Sequence, residues 1–565
     1  MQNQRLSPSR ILESLLFLLF VVSPFYITSS IGGTGFDLPF NISVWFAATL
    51  VIGFMLWHIA SSDTITLPKN YLYLLMLPAG ILLSAVIAGV VEPVTWLFRI
   101  LYILAGVIFL FGLFQFKSLS VERILFFIVL SGLLVSIYGV VQIHQWQSYI
   151  GGFLLSSKNL LPTTIFQQVN VTASYLATSI LIAIYLLFTS SVNAKKTIQS
   201  TLYIPVVLGT YVVVSSGSRV GLLSIVSGLI FLFIGLSKLI KKDKAKFSVV
   251  ILMLLLSSWA GQAGLNKTAD KTYELVRADN SEARVVIYGA ALDSIQSSPI
   301  VGHGIGSYKK EWLSHSPDWY EKYSAVDMPY TLNHPHNEFL MWAVEGGMLA
   351  ITGIFLALIS TIWFIARFYG VQSLAYFSLL LPISIHNMLE LPFYISSLHW
   401  CVWLFLIYLA LKNIVIDNNN QLSQMARLSI KGITFIFGTA VLLFLLQTAI
   451  AQKDMTDYVY GRSTERPLQQ ALINPYFQAD ARAMANRSVL YHAIESDNKQ
   501  KITEMLNQFQ QELDTNRDLK LFEDVINGYV SLKDKEQSCS IAEQASRVYP
   551  WNAGLKKYLE ICSVR

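Results

Sequence analysis

About thirteen stretches of this chain are apolar and long enough to cross a bilayer as helices, and lipid leaves a crossing segment no other way to satisfy its backbone. They fall near 11–28, 41–60, 70–91, 94–116, 122–145, 169–190, 200–217, 219–239, 248–265, 339–366, 373–389, 395–412 and 429–451. The pair at 200–239 is the least clearly divided, because only Ser215-Ser216-Gly217-Ser218-Arg219 separates its halves. Of the 565 residues 54% are hydrophobic and 13% charged, where a soluble domain carries roughly a quarter charged. The expected fold is an all-α integral membrane protein.

Charge orients the spans. Lys69, Lys117, Arg123 and the run Lys238, Lys241, Lys242, Lys244 and Lys246 fall in connections on one side, as do Arg367, Lys412 and Arg427. Connections 29–40, 91–93 and 390–394 carry no Lys or Arg. Positive-inside logic puts the N-terminus in the cytoplasm and the C-terminus outside. The net charge of +6 is thus a topology signal, not a nucleic-acid patch. Arg5 and Arg10 before Ile11 resemble a signal peptide, but no small-x-small site follows, so a retained first helix is expected.

Four segments follow: N-terminal transmembrane helices (1–265), a large extracytoplasmic loop (266–338), C-terminal transmembrane helices (339–451) and a polar tail (452–565). The tail shows apolar residues at three- and four-residue spacing, as in helical hairpins of the tetratricopeptide sort. Cys401 sits in an apolar run as a packed residue. Cys539 and Cys562, on the arms about Tyr549-Pro550-Trp551-Asn552, are candidates for a disulfide in an oxidising compartment.

Transport through the membrane usually needs ionisable groups near its midplane. Here Glu92, Arg99, Arg219, Glu345 and Glu390 lie near helix ends, which points to chemistry at the outer surface. Gly302-His303-Gly304-Ile305-Gly306 lacks both the GxGxxG spacing and a P-loop lysine, and reads as a flexible turn. His334-Pro335-His336 suggests a metal, with His303 or His315, yet nothing completes an HExxH or cysteine set. His336-Asn337, where the polar loop meets the membrane, is the stronger candidate for a reacting group.

The segments "NHPHNEFLMWAVEGG", "RVVIYGAALDSIQSSPIVGHGIGSY", "SSGSRVGLLS" and "HNMLELPFY" together resemble the O-antigen ligase and polymerase (WaaL/Wzy) superfamily. "PTTIFQQVNVTASYLAT" is similar to the Gln-x-Asn element of its PglL-type protein O-oligosaccharyltransferases, whose extra C-terminal region the tail also resembles. The likeness runs from about residue 160 onward; the first five spans add only hydropathy. It implies that His336 is the essential histidine and that Arg219 and Arg284 hold the lipid-linked diphosphate. It also implies that Gln168, Asn170, Glu390 and Tyr394 position substrate. Asn337 starts the next helix or orients the histidine. The sequence departs in having Val169 where proline is usual and Tyr288 where tryptophan is usual.

The implied reaction moves a glycan en bloc from an undecaprenyl-diphosphate carrier to a Ser or Thr hydroxyl of a periplasmic protein such as a pilin. No metal, nucleotide or other cofactor, and no nucleic acid, is expected. A lipid diphosphate is already a good leaving group, arginine forks hold its charge, and an imidazole can take the hydroxyl proton at neutral pH. The implied location is the inner membrane of a Gram-negative cell, with membrane lipid around it and the active site in the periplasm. An O-antigen ligase acting on lipid A–core, a repeat-unit polymerase, and a lipid-glycan flippase or transporter remain alternatives.

Overall fold

The structure, a computed structural model, describes residues 7–146, 155, 160–190, 196–277, 283–323, 329–418, 422–462 and 466–563. Every apolar stretch named above falls on helix. Among the described residues, seven helices are long and apolar enough to cross a membrane, or eight if the bent pair Lys244–Ala260 and Gln262–Ala269 is one span. Four more, Leu72–Ala88, Ser200–Ser215, Arg219–Gly235 and Ser397–Leu411, are apolar but shorter. Length and composition thus pick out seven or eight crossings directly, and the other expected spans fall on these shorter helices and within the 52-residue segment Glu338–Leu389. The segment Glu338–Leu389 is itself divided by a 3-10 turn at Gly370–Gln372 into the helices Glu338–Tyr369 and Ser373–Leu389. An antiparallel pair of strands, Ile65–Pro68 with Val415–Asn418, adds to the helices.

The chain divides into two compact units, each assembled from distant segments. The first comprises Met1–Pro78, Arg99–Thr272 and Phe355–Ser463. At its centre the helix Val169–Thr189 is almost wholly buried against Val121–Ile143, Lys196–Ser215, Arg219–Gly235 and Ser373–Leu389. Small residues allow the approach. A Cβ on Gly132 would stand 2.0 Å from Ser179 Oγ, on Gly228 2.3 Å from Leu181 Cδ1, and on Gly221 2.5 Å from Ala173 Cβ. Lipid supplies no hydrophobic drive between helices, so such close packing carries the association. The helix Gln424–Val459 behaves oppositely, with Phe435 and Ile436 about 70% exposed for lipid to cover. At ~1.5 Å per residue it is ~54 Å long, well beyond a ~30 Å hydrocarbon layer. It continues as helix through Gln452, Lys453 and Asp454, so the expected boundary at 451 falls inside it.

The second unit comprises Ala79–Phe98, Tyr273–Ile354 and Thr464–Arg565. Much of the stretch expected as loop is helical: Ala283–Ser297 packs on Tyr308–Lys322. The tail helices Gln478–Glu495, Lys499–Leu513, Leu519–Ser531, Lys535–Val548 and Ala553–Ser563 each pack on the next. Val286, Ile287 and Trp312 share one hydrophobic core with Leu506, Phe522 and Tyr549, so loop and tail stand or fall together. Cys539 and Cys562 are joined by a disulfide that ties the last two helices, with Cα atoms 5.8 Å apart.

The glycine run is not a loose turn. Its backbone fills a break in the helix Glu338–Tyr369 at Gly347, where φ is +58°. His303 N–H donates to Val344 O (2.9 Å), Gly304 N–H to Glu345 O (3.0 Å) and Met348 N–H to Pro299 O (3.0 Å). A Cβ on Gly302 would lie 2.5 Å from Glu345 O, and one on Gly347 2.4 Å from Ile300 O. The glycines are there because two backbones touch.

Candidate functional site

The candidate residues divide between the two units. In the first, Gln168 precedes the first residue of the helix Val169–Thr189, and Asn170 is its second residue. Glu390 follows the end of Ser373–Leu389 in extended conformation and is nearly buried. Gln168 Nε2 donates to one carboxylate oxygen of Glu390 (2.8 Å) and Asn170 Nδ2 to the other (2.6 Å). Burial opposes ionisation of Glu390, but the neighbouring His386 and the two amide donors outweigh it and hold the carboxyl at about 2. The carboxylate therefore acts as an ionised clamp that turns both amides the same way.

The clamp reaches the arginine turn. With its Nδ2 committed to Glu390, Asn170 presents Oδ1 to Ser218 Oγ–H (2.6 Å). Ser218 also caps the helix Arg219–Gly235, accepting Gly221 N–H at 3.0 Å, so Arg219 stands at the first helical position. The turn is pressed against the bend between Lys244–Ala260 and Gln262–Arg277: a Cβ on Gly264 would lie 2.0 Å from Val214 O. Tyr394 lies in the single turn Pro392–Ile395, its ring 5.7 Å from the Arg99 guanidinium. Asn41 brackets that turn, donating to Ile395 O (2.8 Å) and accepting Ser397 N–H (2.9 Å).

In the second unit, Arg284 is the second residue of Ala283–Ser297, and His336 and Asn337 immediately precede Glu338–Tyr369. Asn337 Oδ1 accepts Leu340 N–H (3.1 Å), as a helix N-cap does. His336 has φ +56°, a left-handed backbone costing a non-glycine residue about 1 kcal/mol. His334 holds it there. Its Nδ1 accepts the His336 N–H at 3.0 Å, which forces the proton onto Nε2, and Nε2 faces Glu338 Oε2 at 3.2 Å. Trp342 Nε1–H steadies the other oxygen of Glu338 (2.8 Å). Both nitrogens of His334 are thus engaged in building the turn. His303 and His315 both lie near Glu311, at 3.4 and 3.7 Å. Among the described residues no group of three His, Cys, Asp or Glu is placed to hold a metal ion.

Sequence reasoning gave no supporting role to Ser218, Arg99 and Asn41 in the first unit, or to His334, Glu338 and Trp342 in the second. It also missed two fully buried histidines, His386 and His399, behind Glu390. The spacing of His386 and Glu390, one helical turn apart, was the available signal.

Residues 204–355 match the O-antigen ligase family. Residues 374–556 match the C-terminal part of the virulence factor membrane-bound polymerases. The first match contains Arg219, Arg284 and His336, and the second Glu390 and Tyr394; Gln168 and Asn170 lie outside both. No curated protein matches the chain. The two matches support the O-antigen ligase and polymerase superfamily, and with the apolar helices they support a multi-pass membrane enzyme that transfers glycans.

Proposed function

We propose that the chain is a PglL-type protein O-oligosaccharyltransferase of the Gram-negative inner membrane, with its active site on the periplasmic side. It takes an oligosaccharide from a polyprenyl diphosphate and gives it to a Ser or Thr hydroxyl of a periplasmic protein such as a pilin. The acceptor O–H bond breaks as its oxygen bonds the anomeric carbon. The bond from that carbon to the diphosphate breaks, and the lipid diphosphate leaves. His336 receives the proton, and Arg219 and Arg284 hold the charge developing on the diphosphate. The configuration inverts, and no metal or nucleotide takes part.

The observation that carries this reading is the clamp of Gln168 and Asn170 on Glu390, because it gives the Gln-x-Asn element a physical task beside the Arg219 turn. The likeness of 374–556 to membrane-bound polymerases favours a second reading, in which another glycan accepts the oligosaccharide. Intact-mass spectrometry of periplasmic proteins, co-expressed with the enzyme and a lipid-linked glycan pathway, decides between them. A glycan-sized increase on protein that vanishes with His336→Ala is the expected result. Glycan appearing instead on lipopolysaccharide, or as lengthened chains on the carrier, would overturn it.

A further inference from the structure

Behind Glu390 runs a buried file of polar side chains that the transfer chemistry above does not use. Ser174, His386, His399 and Ser396 are all fully buried, from three different helical segments of the first unit. Ser396 Oγ lies 2.8 Å from His399 Nδ1, and His399 Nε2 lies 3.2 Å from Ser174 Oγ. Ser174 Oγ is in turn 2.7 Å from His386 Nδ1. His386 Nε2 has no hydrogen-bond partner and faces Glu390 Oε2 at 3.7 Å. Two imidazoles and two hydroxyls inside an apolar core are costly to desolvate, and a chain keeps them when they do something.

Donor counting gives the file a direction. A neutral imidazole has one N–H and one bare nitrogen, and a serine hydroxyl has one proton. If Ser396 donates to His399 Nδ1, then His399 Nε2–H donates to Ser174, Ser174 donates to His386 Nδ1, and His386 Nε2–H points at Glu390. The reverse order points a bare nitrogen at an ionised carboxylate. So does the alternative in which Ser174 spends its proton on Val171 O, 3.1 Å away. Every order that leaves the carboxylate matched therefore keeps a proton on His386 Nε2, facing Glu390.

We propose that His386 is a positioning residue for Glu390, its ring held by Ser174 and His399 so that its Nε2–H orients the carboxylate that in turn orients Gln168 and Asn170. The inference rests on the transfer reading for its kinetic consequence, but not for its structural one. Glu390 faces Gln168, Asn170 and His386, so removing the histidine donor loosens the clamp without touching the amides themselves.

The test compares His386→Gln, which retains an N–H donor, with His386→Leu, which has none. Ser174→Ala, a smaller change that frees the ring, is the fallback should the leucine variant not fold. Purified protein in detergent is unfolded across pH 2–7, and glycan transfer is measured in parallel. His386→Leu is expected to move the acid loss of stability toward neutral pH by about one unit and to cut kcat by about tenfold with KM little changed; His386→Gln is expected to restore both. Ser174→Ala should fall between. An acid limb identical in His386→Leu and wild type would overturn the proposal even if transfer fell. Absence of transfer by the wild type on any protein acceptor, with the acid limb shifted as described, would overturn the transfer reading and leave the positioning role standing.

Discussion

Replacing Glu390 by glutamine is the most informative single change. The carboxylate accepts one amide donor on each oxygen, and folding holds its carboxyl at about 2 against an ordinary 4.5. At about 1.4 kcal/mol per unit that depression corresponds to about 3 kcal/mol of stability at neutral pH. The hydrogen bonds give a similar figure. A glutamine keeps one acceptor oxygen but turns an NH2 toward the second amide, leaving a buried donor facing a donor at a cost of about 1–3 kcal/mol, and it loses the charge assistance on the bond that survives. Because folding lowers this pKa, the folded state favours the ionised form. The contribution is complete above pH 4.5 and disappears as the pH falls toward 2. Equilibrium unfolding in mixed micelles should therefore separate wild type and Glu390→Gln by about 3 kcal/mol at pH 7, with the gap closing between pH 4.5 and 2. No gap at pH 7, or one that stays constant into acid, would refute the clamp.

Further changes bear on other parts of the molecule. Ser218→Ala removes a helix cap and the partner of Asn170 Oδ1; a loss of about 1 kcal/mol in the same unfolding assay is expected, with transfer falling further than stability. Gly347→Ala forces a side chain to φ +58° and a Cβ to within 2.4 Å of Ile300 O, so a failure to accumulate folded protein, read by size-exclusion yield, is expected. Breaking the Cys539–Cys562 bond, across 23 residues, with Cys539→Ser should destabilise by about 3 kcal/mol; protease sensitivity of the tail, matched by reduced wild type, checks it.

Hydropathy made the helical, membrane-borne character of the chain plain, because a period-free apolar run has few other fates in water or lipid. It could not fix the number of crossings, since a run of 17 apolar residues such as Leu72–Ala88 reads the same whether it spans or packs. Nor could it join residues 65–68 to 415–418, or the core of 283–322 to that of the tail, because pairings across hundreds of residues leave no local pattern.

The site was legible as parts and not as an assembly. Gln168, Asn170 and Glu390 were each named through a family likeness, yet what unites them is a carboxylate with one amide on each oxygen, a relation between residues some 220 positions apart. His386 and His399 escaped notice because a lone histidine in an apolar run reads as core. His334 drew notice as half of a His-x-His pair, and its part in the turn shows only when its Nδ1 is seen accepting the His336 N–H. In both units the residue singled out by motif is held by a neighbour whose role is fixed by a proton count. His334 must carry its proton on Nε2 because Nδ1 accepts, and His386 must do so because a bare nitrogen cannot face Glu390. Motif letters record which side chains such a site presents; the tautomers that hold them in place follow only from the geometry.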